Sequence, residues 1–222
     1  MSETTAESSR RTFLGALSAG ALAATAGIVV PAGAPSTLHA EPPDETWLSK
    51  ITGKHKQVYD AVNVNEGWAL VFAMNYLDTN TATYNLKDSD ISTVVGCRHF
   101  AIPLVFDDTI WAKYKLGEFA KVTDPQTKAP SVRNIYYHSK TGDMMFPNAS
   151  VDKLMARGTQ FTCCNVALTA LSGLIGKGVG MAPDAAKKEW LAHIIPGTTV
   201  VPSGVLALGR AQEKGCTYCY AG

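Results

Sequence analysis

The sequence predicts a single-domain three-layer α/β sandwich with a mostly parallel sheet of about five strands. Three observations carry that expectation. Short β-rich runs alternate with stretches of helical periodicity. No internal repeat is evident. About 180 residues follow Ala40, enough for one domain with a sizeable core. Strands separated by helices call for right-handed crossovers and a sheet covered on both faces.

The chain begins with what reads as a twin-arginine export signal. Ser9, Arg10, Arg11, Thr12, Phe13, Leu14 and Gly15 supply the paired arginines and following apolar residues that the export machinery reads. Phe13 to Val30 is apolar but diluted by Gly15, Ser18, Gly20, Thr25 and Gly27, which makes a weak membrane anchor and suits a leader. Residues 1–40 are therefore assigned to a signal peptide, cleaved after Ala40 and before the run Glu41, Pro42, Pro43, Asp44. Cleavage after Ala34 satisfies the small-residue rule better but puts Pro35 first in the mature chain. An uncleaved anchor is the alternative, and either way domain 41–222 is expected in the periplasm or otherwise outside the cytoplasm.

Within that domain, Gln57 to Val62 reads as a first strand, followed by the turn and cap residues Asn63, Asn65 and Gly67. From Trp68 the apolar residues Leu70, Val71, Met74 and Leu77 recur at helical spacing, and the polar cluster Asp78 to Thr83 is expected to stop that helix. Ile91, Val94 and Val95 read as a second, buried strand running into Cys97, Arg98, His99 and Phe100. Asp107 and Asp108 suit the N-cap of a short helix with Ile110, Trp111 and Tyr114, ended by Gly117. Thr123 to Pro130 is polar and Pro-bearing, which predicts an exposed insertion able to act as a lid.

Asn148 to Ser150 should open a helix through Leu154 and Met155 that Gly158 closes, and Gln160 to Cys164 is a strand. Asn165 is the expected N-cap of the next helix, which carries Val166, Leu168, Leu171 and Leu174 into a turn region at Gly176, Gly178 and Gly180. Pro183 and Asp184 open a helix through Trp190 that yields to a strand at Thr198 to Val201. Val205, Leu208 and Ala211 mark a last helix ended by Gly215, and Cys216 to Tyr220 can form a final strand.

Composition narrows the function classes. The formal net charge is +1, and Lys and Arg are scattered rather than clustered, so no nucleic-acid footprint is present. After the leader no segment is apolar for long enough to span a bilayer, which argues against a membrane partner. Small molecules or proteins remain as partners, and no cofactor motif was found.

The five cysteines, Cys97, Cys163, Cys164, Cys216 and Cys219, are an odd number for an oxidising compartment, so at least one is unpaired. Cys164 should lie where a buried strand hands over to a helix N-terminus. Unpaired amides and the helix dipole stabilise a thiolate there, and ligands of open α/β sheets bind at the carboxyl ends of strands. Cys163 points the other way, sharing a face with Phe161 in the core. Small buried residues without chemistry are the bland alternative for both.

Cys97, Arg98 and His99 end the second strand and can approach Cys164 along the same sheet edge. Arg98 is a candidate to hold an anionic sulfur species and His99 to accept or return a proton; a surface arginine and a loop histidine are the plain alternative. A metal centre from His99, Cys97 and Cys164 lacks compact ligand spacing, and no metal is predicted. Cys216 and Cys219 have CxxC spacing, a candidate disulfide or redox pair, although residues three apart on a strand face opposite sides.

The run Gly158, Thr159, Gln160, Phe161, Thr162, Cys163, Cys164, Asn165 and Leu168, followed by Val201, Pro202, Ser203, Gly204, Val205 and Gln212 to Gly215, resembles the DsrE/DsrF-like family. The resemblance implies a small α/β fold with a parallel sheet and a homo-oligomer. It also implies that a cysteine at the position of Cys164 carries sulfur as a persulfide and passes it to a partner protein. The export leader, the region Asp124 to Pro147 and the terminal cysteine pair depart from that pattern, so the partners must differ.

The sequence thus points to an exported DsrE-like sulfur carrier or sulfurtransferase, taking small sulfur species or a partner protein through Cys164 with Arg98 and His99. A non-catalytic binding or assembly module of the same fold, and a thiol-disulfide redox protein using Cys216 and Cys219, remain as alternatives. Whether any reaction is catalysed stays open at this level.

Overall fold

The computed structural model describes residues 44–222; the expected export signal, with Arg10, Arg11 and Ala40, lies outside the described residues. A short helix α1 (Thr46–Ser49) precedes β1 (His55–Asn63), α2 (Trp68–Tyr84) and β2 (Ile91–Phe100). Two short helices, α3 (Asp108–Lys113) and α4 (Leu116–Phe119), and an irregular stretch lead to α5 (Val151–Ala156). The chain ends with β3 (Gln160–Cys164), α6 (Asn165–Gly178), α7 (Pro183–Ala192), β4 (Thr198–Val201), α8 (Gly204–Glu213) and β5 (Thr217–Tyr220).

The five strands form one sheet in the order β4-β3-β2-β1-β5, and every neighbouring pair is parallel. With helices on both sides, this is the three-layer α/β sandwich that the alternation of strands and helices predicts. Strand periodicity assigns the layers. Tyr59, Ala61, Val95, Cys97, Phe161 and Cys163 pack with the apolar faces of α2, α5, α6 and α7. The alternate residues Val58, Val94 and Val201 pack with Ala207, Leu208 and Ala211 of α8 and with Trp47, Leu48 and Ile51 at the start of the domain. Near-continuous burial of β2 from Ile91 to Cys97 follows from having helices on both faces.

The topology places a switch point at the carboxyl edge. After β3 the chain turns into α6, in the layer shared with α2. After β4, beside β3, it turns into α8 in the opposite layer and crosses the whole sheet to reach β5 at the far edge. Two neighbouring strands whose following helices diverge to opposite faces leave a crevice between them. That crevice opens at Cys164 and Ser203.

Several elements differ from their expected limits. Helix α2 does not stop at Asp78 to Thr83 but continues to Tyr84, because Leu77 and Asn80 stay buried while the remaining polar side chains face solvent. Asn80 also donates to the Tyr76 carbonyl at 2.8 Å, and the helix ends at Asn85 in a left-handed conformation. Gly117 does not end a helix; it lies inside α4, where a Cβ would sit 2.2 Å from the Ser131 carbonyl oxygen. Its role is close approach of two backbones.

The Thr123 to Pro130 segment is not a free lid. Thr123 bridges Pro130, and buried Asp124 accepts from Arg133 Nε at 2.6 Å. Arg133 also makes a two-pronged contact with buried Asp143, at 2.7 and 2.6 Å. One guanidinium thus ties three points of an otherwise irregular stretch, and holds both carboxyls below their usual range. Thr123 and the tip from Gln126 to Pro130 are exposed, as the sequence predicts, with Asp124 buried between them.

Candidate functional site

Cys164 closes β3 and, in place of the expected Asn165, is itself the N-cap of α6. Its backbone is extended, and Sγ accepts the Ala167 N–H at 3.4 Å. Sulfur therefore occupies the position a serine or aspartate oxygen commonly takes, at the end of a helix where unpaired N–H groups favour negative charge. The residue is only 6% exposed, and the surface it retains borders a cavity of about 330 Å³.

That cavity gathers the ends of three elements: Arg98, His99 and Phe100 from β2; Cys164 with Val166, Ala167, Ala170 and Leu171 from the β3–α6 junction; and Ser203 with Val205 from the start of α8. The structure thus brings together Cys164, Arg98 and His99, the three site residues expected from the sequence. Gly204 makes the approach of α8 feasible. A Cβ there would lie 2.6 Å from Arg98 Cβ and 3.2 Å from Cys164 Cβ.

Arg98 is less available than the sequence suggests. Its Nε and one terminal nitrogen donate to the two carboxylate oxygens of Asp60, at 2.7 and 2.9 Å. Asp60 is 2% exposed in the middle of β1, and Tyr218 of β5 donates its hydroxyl to the same carboxylate at 2.7 Å. The hydrogen bond to Asp60 raises the guanidinium's already high pKa further, which keeps it charged. The bidentate pair fixes the position of Arg98 and cancels most of its net charge.

Asp60 and Tyr218 were missed by sequence reasoning. The signal for Asp60 was present: a lone carboxylate inside the apolar strand Val58, Tyr59, Asp60, Ala61, Val62 must find a partner if buried. Tyr218 carried no comparable signal, because its contact depends on β5 pairing with β1.

His99 turns the chain at the end of β2 with a φ of +51°, a conformation uncommon outside glycine. It is exposed, and its ring packs on Phe100 at 3.9 Å between centroids. Phe100 in turn meets Phe119 edge-on at 5.4 Å and separates this cavity from a neighbouring one of about 360 Å³.

The other cysteines separate cleanly. Cys97 and Cys163 are register partners, fully buried beneath the α2–α6 layer. Burial pushes the Cys97 thiol up to about 12 and that of Cys163 well above its ordinary value. Cys97 therefore does not line the cavity with His99 and Cys164, and among the described residues no three His, Cys, Asp or Glu side chains are placed to hold a metal ion.

The candidate disulfide between Cys216 and Cys219 is corrected by the structure. Both thiols are free. Cys216 packs into the α8 layer and Cys219 against the α2 layer, on opposite faces of the sheet. The strand period sends residues three apart to different sides, and a disulfide cannot reach through its own backbone. Burial raises both, Cys216 to about 11.

Comparison with protein-family models found no match, and neither did comparison with curated proteins. Among solved structures, the chain is similar to a protein of unknown function, MTH1491 from Methanobacterium thermoautotrophicum, at 17% identity and a TM-score of 0.38. The match covers 75% of this chain and 98% of that one.

Proposed function

We propose that the chain is an exported DsrE-like sulfur carrier that holds sulfane sulfur as a persulfide on Cys164 and delivers it to an acceptor outside the cytoplasm. The supporting observation is the position of Cys164: a helix-capping sulfur at the switch point of a parallel sheet, bordering a cavity. Loading is a nucleophilic displacement. The Cys164 thiolate attacks the outer sulfur of a donor R–S–S–H, a new S–S bond forms, the donor S–S bond breaks, and R–S⁻ leaves with the electron pair. No net oxidant is required.

In this reading the Arg98–Asp60 pair borders the sulfur as a fixed, largely charge-compensated wall of the site, and His99 exchanges the proton of the donor or of the departing thiol. Delivery reverses the displacement on an acceptor thiol. A homo-oligomer, small sulfur species or a partner protein as donor and acceptor, and a periplasmic location belong to the same proposal.

The test is intact-mass analysis of the purified protein after incubation with a hydropersulfide. One added sulfur on wild type that maps to Cys164 and is lost in Cys164→Ser is the expected result; no addition, or undiminished addition to the variant, rejects it. The slight exposure of Cys164 favours a second reading, a non-catalytic binding module of the same fold. That reading predicts a Cys164 that resists alkylation in the native protein and a Cys164→Ala variant that is merely less stable.

A further inference from the structure

We infer that the Cys164 cavity selects apolar organic hydropersulfides over inorganic or strongly anionic sulfur donors, and that Asp60 sets this preference by neutralising Arg98. The inference rests on the persulfide reading above and deepens it. Three observations carry it.

First, the walls are apolar. Phe100, Val166, Ala170, Leu171 and Val205 line a space of about 330 Å³, within the lower part of the range that small organic ligands fill. Val166 and Val205 stand 62% and 66% exposed, leaving apolar surface unpartnered at the mouth. Second, among the described residues Arg98 and His99 are the only cavity-lining side chains able to carry positive charge, and Arg98 has already formed its two-pronged bond with buried Asp60. A dianion such as thiosulfate would meet a paired cation and a Cys164 thiolate of its own sign. Third, among the N–H groups at the start of α6, that of Ala167 already donates to Sγ, so this donor serves the nucleophile and not an incoming anion.

An apolar donor benefits where a dianion loses. Its substituent buries against the valines, leucine and phenylalanine, while its outer sulfur reaches Sγ. Bond formation and cleavage are those written above, with R–S⁻ as leaving group. For thiosulfate the corresponding leaving group is sulfite.

The experiment compares benzyl hydropersulfide, glutathione hydropersulfide and thiosulfate as donors to the purified protein. The readout is the rate of single-sulfur addition to Cys164, each rate divided by that of the same donor with N-acetylcysteine. The benzyl donor is expected to exceed both others by about tenfold, the change that 1.4 kcal/mol of apolar contact produces. The exposed double variant Val166→Ser/Val205→Ser should slow the benzyl donor about threefold to tenfold and glutathione hydropersulfide by a smaller factor. Asp60→Asn should raise the normalised thiosulfate rate by freeing Arg98. Equal or faster loading by thiosulfate in wild type, or a double variant with unchanged benzyl preference, overturns the inference while leaving Cys164 as a carrier. Absence of sulfur on Cys164 from every donor overturns the carrier reading itself.

Discussion

Strands β3 and β5 both bring cysteine to the sheet, with opposite consequences. At β3 the chain turns directly into a helix, so Cys164 acquires an N–H donor, a neighbouring guanidinium and an opening to a cavity. At β5 the strand is a short sheet edge, and Cys216 and Cys219 fall on either side of it, buried or half-buried without a helix terminus. Cysteine chemistry therefore follows from the backbone that surrounds the sulfur, and sequence spacing alone is a poor guide to it. β5 still serves the β3 site, through the Tyr218 hydroxyl on Asp60 and not through a thiol.

The largest expected effect breaks or upholds that contrast outright. Cys164→Ser should abolish sulfur loading, whereas Cys216→Ser and Cys219→Ser should load as wild type, all followed by mass analysis. Mild oxidation should likewise form no bond between Cys216 and Cys219, which free-thiol counting on the monomer checks.

Next in size is the carboxylate that anchors the site. Asp60→Ala strands the Arg98 guanidinium and should cost about 3 kcal/mol in denaturant unfolding, the lower end for breaking a buried pair because Arg98 keeps 27% exposure. Gly204→Ala forces the start of α8 away from Arg98 and Cys164 and should cost about 1–3 kcal/mol. Its control is Gly209→Ala in the same helix, where a Cβ meets nothing within 4 Å and the change should stabilise by about 0.5–1 kcal/mol.

The smallest effect is a pH dependence. The hydrogen bond to Asp60 raises the Tyr218 pKa above its ordinary value, so the stability this tyrosine contributes is present below about pH 10 and is lost as pH rises through the folded-state value. Thermal unfolding of Tyr218→Phe should differ from wild type at neutral pH, and the difference should shrink in strong alkali.

Much of the fold was legible because it is locally encoded. Gln160 to Cys164 and Thr198 to Val201 are strands at the expected residues, and Asp107 caps its helix as predicted. Local signals misled where a distant contact overrode them. Gly117 resembles a helix stop, yet its missing Cβ serves the Ser131 backbone. The polar end of α2 resembles a turn, yet Leu77 and Asn80 anchor it in the protein. The insertion is exposed as expected, yet Arg133 gathers Asp124 and Asp143 and ties down what the sequence would allow to be a lid.

What the sequence by itself determined is the succession of strands and helices, the inward turn of Cys163 and the placing of Cys164 at a strand–helix junction. Each depends on period and capping within a few residues. Only the tertiary structure decided the strand order, and with it the divergence of α6 and α8 that opens the crevice at Cys164. It also decided the pairing of Asp60 with Arg98 and the separation of Cys216 from Cys219. These features join residues far apart in the chain, or depend on which layer each sheet face meets. They are set by burying both faces of the sheet at once, a condition that no local stretch of sequence expresses.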